Sequence, residues 1–307
     1  MPGLKLADRI ADCLLGGALG DALAGPFENG PAGQTFEEPA DLWLSDDTQF
    51  TLATCEALIE TDGTADPEAI AAAFARWHRG RRFRGVGAST LKALRELEIG
   101  GHWALVGAAG ERSAGNGAAM RAAPLAFVLD PDEEDDRRLL RDVSRITHHH
   151  EEAVAGALLI VRAVQHAAAG QPLADLPAAL ADRPPDCLCR DRLRAARGER
   201  LSPQEYAGRF GASGWAADSV PLALLAASRS REFVQTIAEV VGCGGDTDTV
   251  ASMCGQILGA AHGTAGLPEA ALKRLEAADE IRETAASLAR VAANIRPCTP
   301  SPSPRRI

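Results

Sequence analysis

Gly244-Gly245-Asp246-Thr247-Asp248-Thr249 runs without a break into Val250-Ala251-Ser252-Met253-Cys254-Gly255-Gln256-Ile257-Leu258-Gly259-Ala260-Ala261-His262. Small and unbranched residues dominate, apolar positions recur every three or four residues, and no β-branched alternation interrupts them. The stretch therefore reads as a helix over Thr247–His262. Far upstream, Leu44-Ser45-Asp46-Asp47-Thr48-Gln49 has the same construction, with carboxylates beside hydroxyls leading into Leu52, Leu58 and Ile59. Ser, Thr and Asp before a helix are ordinary N-caps, and acids in a first turn match the helix dipole. Two features exceed capping. Asp246 and Asp248 are spaced i, i+2, so only one can be the cap, and Gly242-Cys243-Gly244-Gly245 signals a tight backbone approach. Carboxylate and hydroxyl oxygens are hard ligands, suited to Mg²⁺, Mn²⁺ or Ca²⁺. Asp46, Asp47, Asp246 and Asp248 converging from two helix starts would hold two divalent ions, the layout of a two-metal hydrolytic site.

Working outward, the helical pattern covers nearly the whole chain. Leu6 to Ala24 places Leu6, Ile10 and Leu14 ahead of a glycine-rich stretch that lets a neighbour pack closely. Asp66-Pro67-Glu68 is a start signal, with proline at the first helical position, leading to Trp77. Further helices are expected over 89–97, 136–146, 151–169, 218–228, 232–241, 268–277 and 279–293. No fixed-period repeat argues for a solenoid. The Pro/Arg-rich region 183–204 reads as a loop or short helices and as the one internal seam. The expectation is a single all-α domain over 1–296 and a disordered Pro/Ser/Arg tail over 297–307.

The 307 residues are 46% hydrophobic, enough for a large core, and carry a net charge of −10 with a pI near 5.3. No basic stripe offsets that acidity, which excludes nucleic acid as a general partner. Arg79-Gly80-Arg81-Arg82-Phe83-Arg84 is the one strong basic cluster and reads as a solvated loop. Seven cysteines, an odd number in a long chain, point to reduced thiols and a cytoplasmic location. Cys187 and Cys189 form a lone CxC without a second pair at metal spacing. Asp8, Asp12 and Asp21 interrupt the first apolar run, so neither a signal peptide nor a membrane span is expected.

Several blocks, in order, carry a resemblance. They are Gly16-Gly17-Ala18-Leu19-Gly20-Asp21-Ala22 with Pro26-Phe27-Glu28; Ser45-Asp46-Asp47-Thr48-Gln49; Gly115-Asn116-Gly117-Ala118-Ala119-Met120-Arg121; Thr147-His148; Gly211-Ala212-Ser213-Gly214-Trp215; and Gly244-Gly245-Asp246-Thr247-Asp248-Thr249. The chain resembles the ADP-ribosylglycohydrolases, the group that includes the dinitrogenase-reductase-activating glycohydrolases. The resemblance implies an all-helical fold with a binuclear Mg²⁺ or Mn²⁺ centre in a cleft, and hydrolysis of the glycosidic bond between ADP-ribose and a modified side chain or small acceptor. Carried over by position, the metal ligands are Ser45, Asp46, Asp47, Asp246, Asp248 and Thr249, with Asp248 the bridge. Glu28 falls where the family places a carboxylate near metals and substrate, as base or gate, and joins Asp47 and Asp246 as a catalytic candidate. Gly115, Asn116 and Gly117 fall where backbone wraps the ADP-ribose, and His148 near the phosphates or ribose.

The residues support these roles on their own chemistry. Side-chain-free Gly115 and Gly117 let amides approach a diphosphate, and nearby carboxylates would stabilise an oxocarbenium-like state. Trp215 offers a stacking surface or a core aromatic. His149 and His150 read as a solvated helix start, and Asp21 as a helix residue touching its neighbours rather than a ligand. Ser45 stands where Thr is common in the family, and Ala114 where several relatives place an aromatic. Two other readings share these features: a catalytically weak ADP-ribose-binding or toxin-immunity protein, and a two-metal phosphohydrolase, for which no Lys/Arg phosphate clamp is evident. The linkage cut (arginine, serine, nucleic acid or O-acetyl) stays open at this stage.

Overall fold

The computed structural model describes residues 5–295, so the expected tail lies outside the described residues. Among them the α-helices are α1 (Leu6–Ala24), α2 (Asp46–Glu60), α3 (Pro67–Arg79), α4 (Ala88–Glu98), α5 (Glu134–Arg145), α6 (Glu151–Ala168) and α7 (Leu176–Leu180). They continue with α8 (Leu188–Glu199), α9 (Pro203–Phe210), α10 (Ala216–Arg229), α11 (Phe233–Cys243), α12 (Thr247–His262), α13 (Glu269–Leu272) and α14 (Ala278–Ile295). One parallel pair of two-residue strands, β1 (Ala108–Ala109) and β2 (His148–His149), sets Ala108 opposite His148. The all-α expectation holds.

Helices α1 and α12 form the centre, and their contact is backbone against backbone. A Cβ placed on Gly16 would run into the Gly255 carbonyl, one on Gly20 into the Ala251 carbonyl, and one on Gly259 into the Asp12 carbonyl. The pairings 12 with 259, 16 with 255 and 20 with 251 define an antiparallel register. That register sets the end of α1, carrying Asp21, beside the start of α12, carrying Asp248. By length and composition Leu6–Phe27 could cross a membrane, contrary to the expectation from its acids, yet 78% of its most apolar window is buried inside the protein. Its apolar surface is consumed by the core.

Two expectations need correction. Region 183–204 is no seam: α8 lies within it and buries Cys189, Leu193 and Ala196 in the common core, an i, i+4, i+7 stripe hidden among arginines. The helix expected over 268–277 shrinks to α13, because Leu275 instead pairs with Leu42 and Ala277 turns at φ 57°. The basic loop 79–84 is largely exposed, as expected, and is also pinned. Phe83 stacks on Phe50 at 3.9 Å, Arg82 lies 3.5 Å over Trp77, and Arg84 pairs with Glu276 at 3.0 Å. This pinning holds Gly85 and Gly87 at the edge of the cleft described next.

Candidate functional site

Ser45 N-caps α2, its Oγ accepting from the Asp47 amide at 3.2 Å and donating to Asp47 Oδ2 at 3.1 Å. Asp21 reaches across from α1 and caps the same helix. Its carboxylate accepts from the Ser45 amide at 3.1 Å, the Thr48 amide at 3.3 Å and Thr48 Oγ1 at 2.5 Å. Thr249, in the first turn of α12, donates to Asp47 Oδ2 at 3.2 Å. Two hydroxyls therefore occupy Oδ2, while Asp47 Oδ1 and Asp248 Oδ1 are buried with no hydrogen-bond partner.

Opposite this pair, Asp246 heads α12 without capping it through its side chain. Its amide donates to Ala212 O at 2.8 Å, and its Oδ2 accepts from Asn116 Nδ2 at 2.6 Å. The preceding glycines have φ of 71° and 73°, and a Cβ on Gly245 would strike the Ala212 carbonyl. Only glycine admits both the left-handed backbone and that approach. Gly245 also pairs with Gly30, which brings Glu28 to the mouth of the site.

Carboxylate oxygens of Asp21, Asp47 and Asp248 lie within 4.8 Å of one another, as do those of Glu28, Asp246 and Asp248. Asp248 belongs to both groups. They form one end of a cleft of about 390 Å³. One wall is the start of α4, where Gly87 provides no side-chain cap and no acid occupies the first turn. The facing wall is Gly115-Asn116-Gly117, tied to the loop before α10 by the Gly115–Trp215 pairing and by Asn116 N to Gly214 O at 2.9 Å. His148 stands behind this turn, its ring filling the room that side chains at 115 and 117 would need.

Burial raises Asp21, Asp46, Asp47 and Asp248, and for the last three the neighbouring carboxylates add to it. Asp21 is pushed up to about 6 by burial, against the pull of its Thr48 and Ser45 hydrogen bonds. Asp46 rises to about 8 through burial and the Asp21 charge. Asp248 rises to about 9 through burial, then Asp246 and Glu28, and Asp47 lies well above the usual range through burial and Asp248. So many acids cannot all ionise side by side without positive charge among them. Hard oxygen donors, two of them orphaned in the interior, fit a divalent cation of the Mg²⁺ class. His148 moves the other way, to about 3, because burial and the Arg121 charge oppose protonation.

The site gathers Glu28, Asp46, Asp246, Asp248, Thr249, Gly115, Asn116, Gly117 and His148 around one cleft. Asp47 lies directly beneath through its bond to Thr249, and Ser45 is bonded to Asp47. Trp215 is not among the lining residues; its side chain is 42% exposed. Asp46 lines the cleft but belongs to neither carboxylate group, whereas Asp21, read from sequence as a plain helix residue, belongs to one. Gly85 and Gly87 to Thr90 also line the cleft and were not foreseen. The amide of Asn116 faces Asp246 and Ser219, at 2.6 and 3.1 Å, rather than open space. His150 N-caps α6, and His149 reaches Val106 O at 2.6 Å, so neither joins the acids.

Known proteins share this chain's sequence pattern and fold. The family model for ADP-ribosylglycohydrolase matches residues 2–297. The ADP-ribosyl-(dinitrogen reductase) glycohydrolase of Rhodospirillum rubrum is 27% identical over 294 residues, covering 90% of this chain and 93% of that protein. The ADP-ribosylarginine hydrolase Tri1 of Pseudomonas putida is 29% identical over 303 residues, covering 92% and 78%. A solved ADP-ribosylglycohydrolase-related protein complex superposes with a TM-score of 0.71 at 28% identity, covering 94% of this chain and 99% of that one. With the family profile spanning residues 2–297, nearly the whole chain, this chain belongs to the ADP-ribosylglycohydrolase family.

Proposed function

We propose that the protein hydrolyses the glycosidic bond joining ADP-ribose to a protein side chain or small acceptor, using two divalent cations, Mg²⁺ or Mn²⁺. The observation that carries this reading is the pair of carboxylate groups sharing Asp248 at the end of one cleft. Asp21, Asp47 and Asp248 would hold one ion, and Glu28, Asp246 and Asp248 the other, with Ser45, Asp46 and Thr249 as further oxygen donors. Such ions supply Lewis acidity toward water and toward vicinal ribose hydroxyls.

The remaining work falls to the chain. Glu28 is exposed at the mouth, held by Asn29 Nδ2 at 3.0 Å, and is the group to accept a proton as water attacks the anomeric carbon. The carboxylates also oppose the positive charge that develops on the ribose ring. The uncapped first turn of α4 offers free amides and the positive end of its dipole to the diphosphate. His148 donates to the ligand from behind the Gly115–Gly117 turn.

Purified protein incubated with ADP-ribosylated arginine, serine, nucleic-acid and O-acetyl conjugates tests the reading. At least one conjugate should turn over with Mg²⁺ or Mn²⁺ and stop turning over in EDTA. Release of ADP-ribose from none of them would refute it, and undiminished release in EDTA would refute the metal assignment.

A further inference from the structure

Thr147 is fully buried between α5 and β2, its carbonyl fixed by the Ala108 amide at 3.1 Å. Its hydroxyl has two neighbours. Arg121 Nη2 donates to it at 2.8 Å, and His148 Nδ1 lies 2.8 Å away. Arg121 itself is 1% exposed. It donates to Gly117 O and Val143 O, packs over the Phe74 ring at 5.1 Å, and has no carboxylate partner at ion-pair distance among the described residues. A guanidinium can only donate. One lone pair of Thr147 Oγ is therefore filled from Arg121, and the Thr147 hydrogen needs an acceptor of its own. Among the described residues the one acceptor in reach is His148 Nδ1.

We infer that Arg121 and Thr147 are positioning residues that lock His148 in the tautomer carrying its hydrogen on Nε2, so that His148 presents a neutral donor to the cleft and cannot accept a proton there. The opposite tautomer would strand the Thr147 hydrogen in the interior without an acceptor. His148 is 3% exposed, and Nε2 has no partner among the described residues. That atom abuts Gly115 and Gly117, where an added Cβ would sit 2.9 and 3.4 Å from it. The imidazole is thus held for an oxygen acceptor, the phosphate or hydroxyl oxygen of a ligand. This last step rests on the ADP-ribose reading above; the tautomer does not.

Two measurements separate the parts. Histidine-selective nitrogen-15 labelling of the full chain, with long-range proton–nitrogen correlation at neutral pH, should show His148 neutral with its hydrogen on Nε2. A hydrogen on Nδ1, or an imidazolium, would overturn the proposal whatever the protein's function. Titration of ADP-ribose by calorimetry then compares Thr147→Ser, which keeps the hydroxyl, with Thr147→Val, which removes it at similar volume. Serine should bind within about twofold of wild type and valine about tenfold more weakly, the worth of roughly one hydrogen bond. Equal affinity in both variants would overturn the positioning role. ADP-ribose that binds but leaves the His148 signals unmoved, the tautomer being correct, would overturn only the contact with ligand. If valine fails to fold, serine and the wild-type tautomer still decide.

Discussion

The central contact of the fold makes a sharp prediction, because its two partners are both backbone. A Cβ on Gly255 would lie 2.8 Å from the Gly16 carbonyl carbon and 3.3 Å from the Gly17 amide, and closer still to the Gly16 oxygen. No side chain can move aside, so α1 and α12 must separate by roughly 1 Å to restore ordinary contact distances. Overpacking of this kind costs about 1–3 kcal/mol, against which alanine recovers about 0.8–1.0 kcal/mol of helix propensity. With contacts this close the upper end of that cost applies, so Gly255→Ala should destabilise by about 2 kcal/mol, or a fall of roughly 3 °C in Tm at about 2.1 cal/mol/K of unfolding entropy per residue. Gly198 in α8 and Gly208 in α9 are exposed, with nothing within 4 Å of an added Cβ. The same substitution there should be neutral or raise stability by about 0.5 kcal/mol. Thermal and urea unfolding in EDTA would compare all three. Because the start of α12 carries Asp248 and the end of α1 carries Asp21, Gly255→Ala should also weaken Mn²⁺ binding in calorimetry. Opposite signs for the buried and exposed glycines are the expected result; a Gly255→Ala variant as stable as wild type would refute the packing argument.

Four other outcomes follow. Asp248→Asn should abolish tight Mn²⁺ binding altogether because both carboxylate groups use this residue, whereas Asp21→Asn should weaken only part of the titration. Asn116→Ala leaves Asp246 without its amide donor, so Mn²⁺ affinity should fall about 10- to 100-fold, as removing a group that orients a ligand does; an effect confined to ADP-ribose binding would return Asn116 to the ligand. Glu28→Gln should cut turnover by about a hundred- to ten-thousand-fold with ADP-ribose affinity little changed, and a loss of only a few-fold in single-turnover assays would make it a gate. For pH, the folded-state value of His148 lies near 3, below the 6.5 of a free histidine. Its contribution to stability is present above pH 6.5 and is lost as pH falls from 6.5 toward 3, by about 1.4 kcal/mol per unit for a group this buried. His148→Gln should flatten that slope between pH 6.5 and 5 in denaturant titrations; an unchanged slope would count against it.

Much of this architecture is legible in the sequence. The bounds of α1 and α12 follow from their periodicity, and Asp66-Pro67 starts α3 with the Asp66 side chain accepting from the Glu68 amide at 3.1 Å. What escapes is instructive. The arginines of α8 mask a three-residue apolar stripe, and a two-residue strand pair has no local signal at all. Asp21 could not be assigned from its own neighbourhood, since a lone acid in an apolar helix gives no direction. Its place beside Asp47 and Asp248 comes from the glycine register between α1 and α12, a tertiary fact. Asn116, read as a ligand contact, lines the cleft and in addition donates to Asp246, a tertiary link that Gly-Asn-Gly does not announce. Trp215, read as either a stacking face or a core aromatic, is 42% exposed and lies outside the cleft lining.

Joined together, these features explain how an all-helical protein holds so much negative charge in one place. Acids on separate helices repel, and each raised carboxyl is a cost of folding in the absence of a counter-charge. Three devices offset it. The backbone contact of α1 with α12 adds packing without adding bulk, so the acids converge by register rather than by side-chain attraction. The amides of Ser45 and Thr48 take up Asp21, and the hydroxyls of Ser45 and Thr249 take up one oxygen of Asp47. Asn116 does the same for Asp246 from the opposite wall. The hydrogen bonds to Asp47 occupy one oxygen and leave Asp47 Oδ1, like Asp248 Oδ1, buried without a partner. A cation bound there adds to stability as well as to chemistry, by about 2.7 kcal/mol at a hundred times its Kd. The residues that would bind the metal and those that make the fold affordable without it are therefore the same hydrogen-bonded set, and a substitution that relaxes the cluster trades metal affinity for stability.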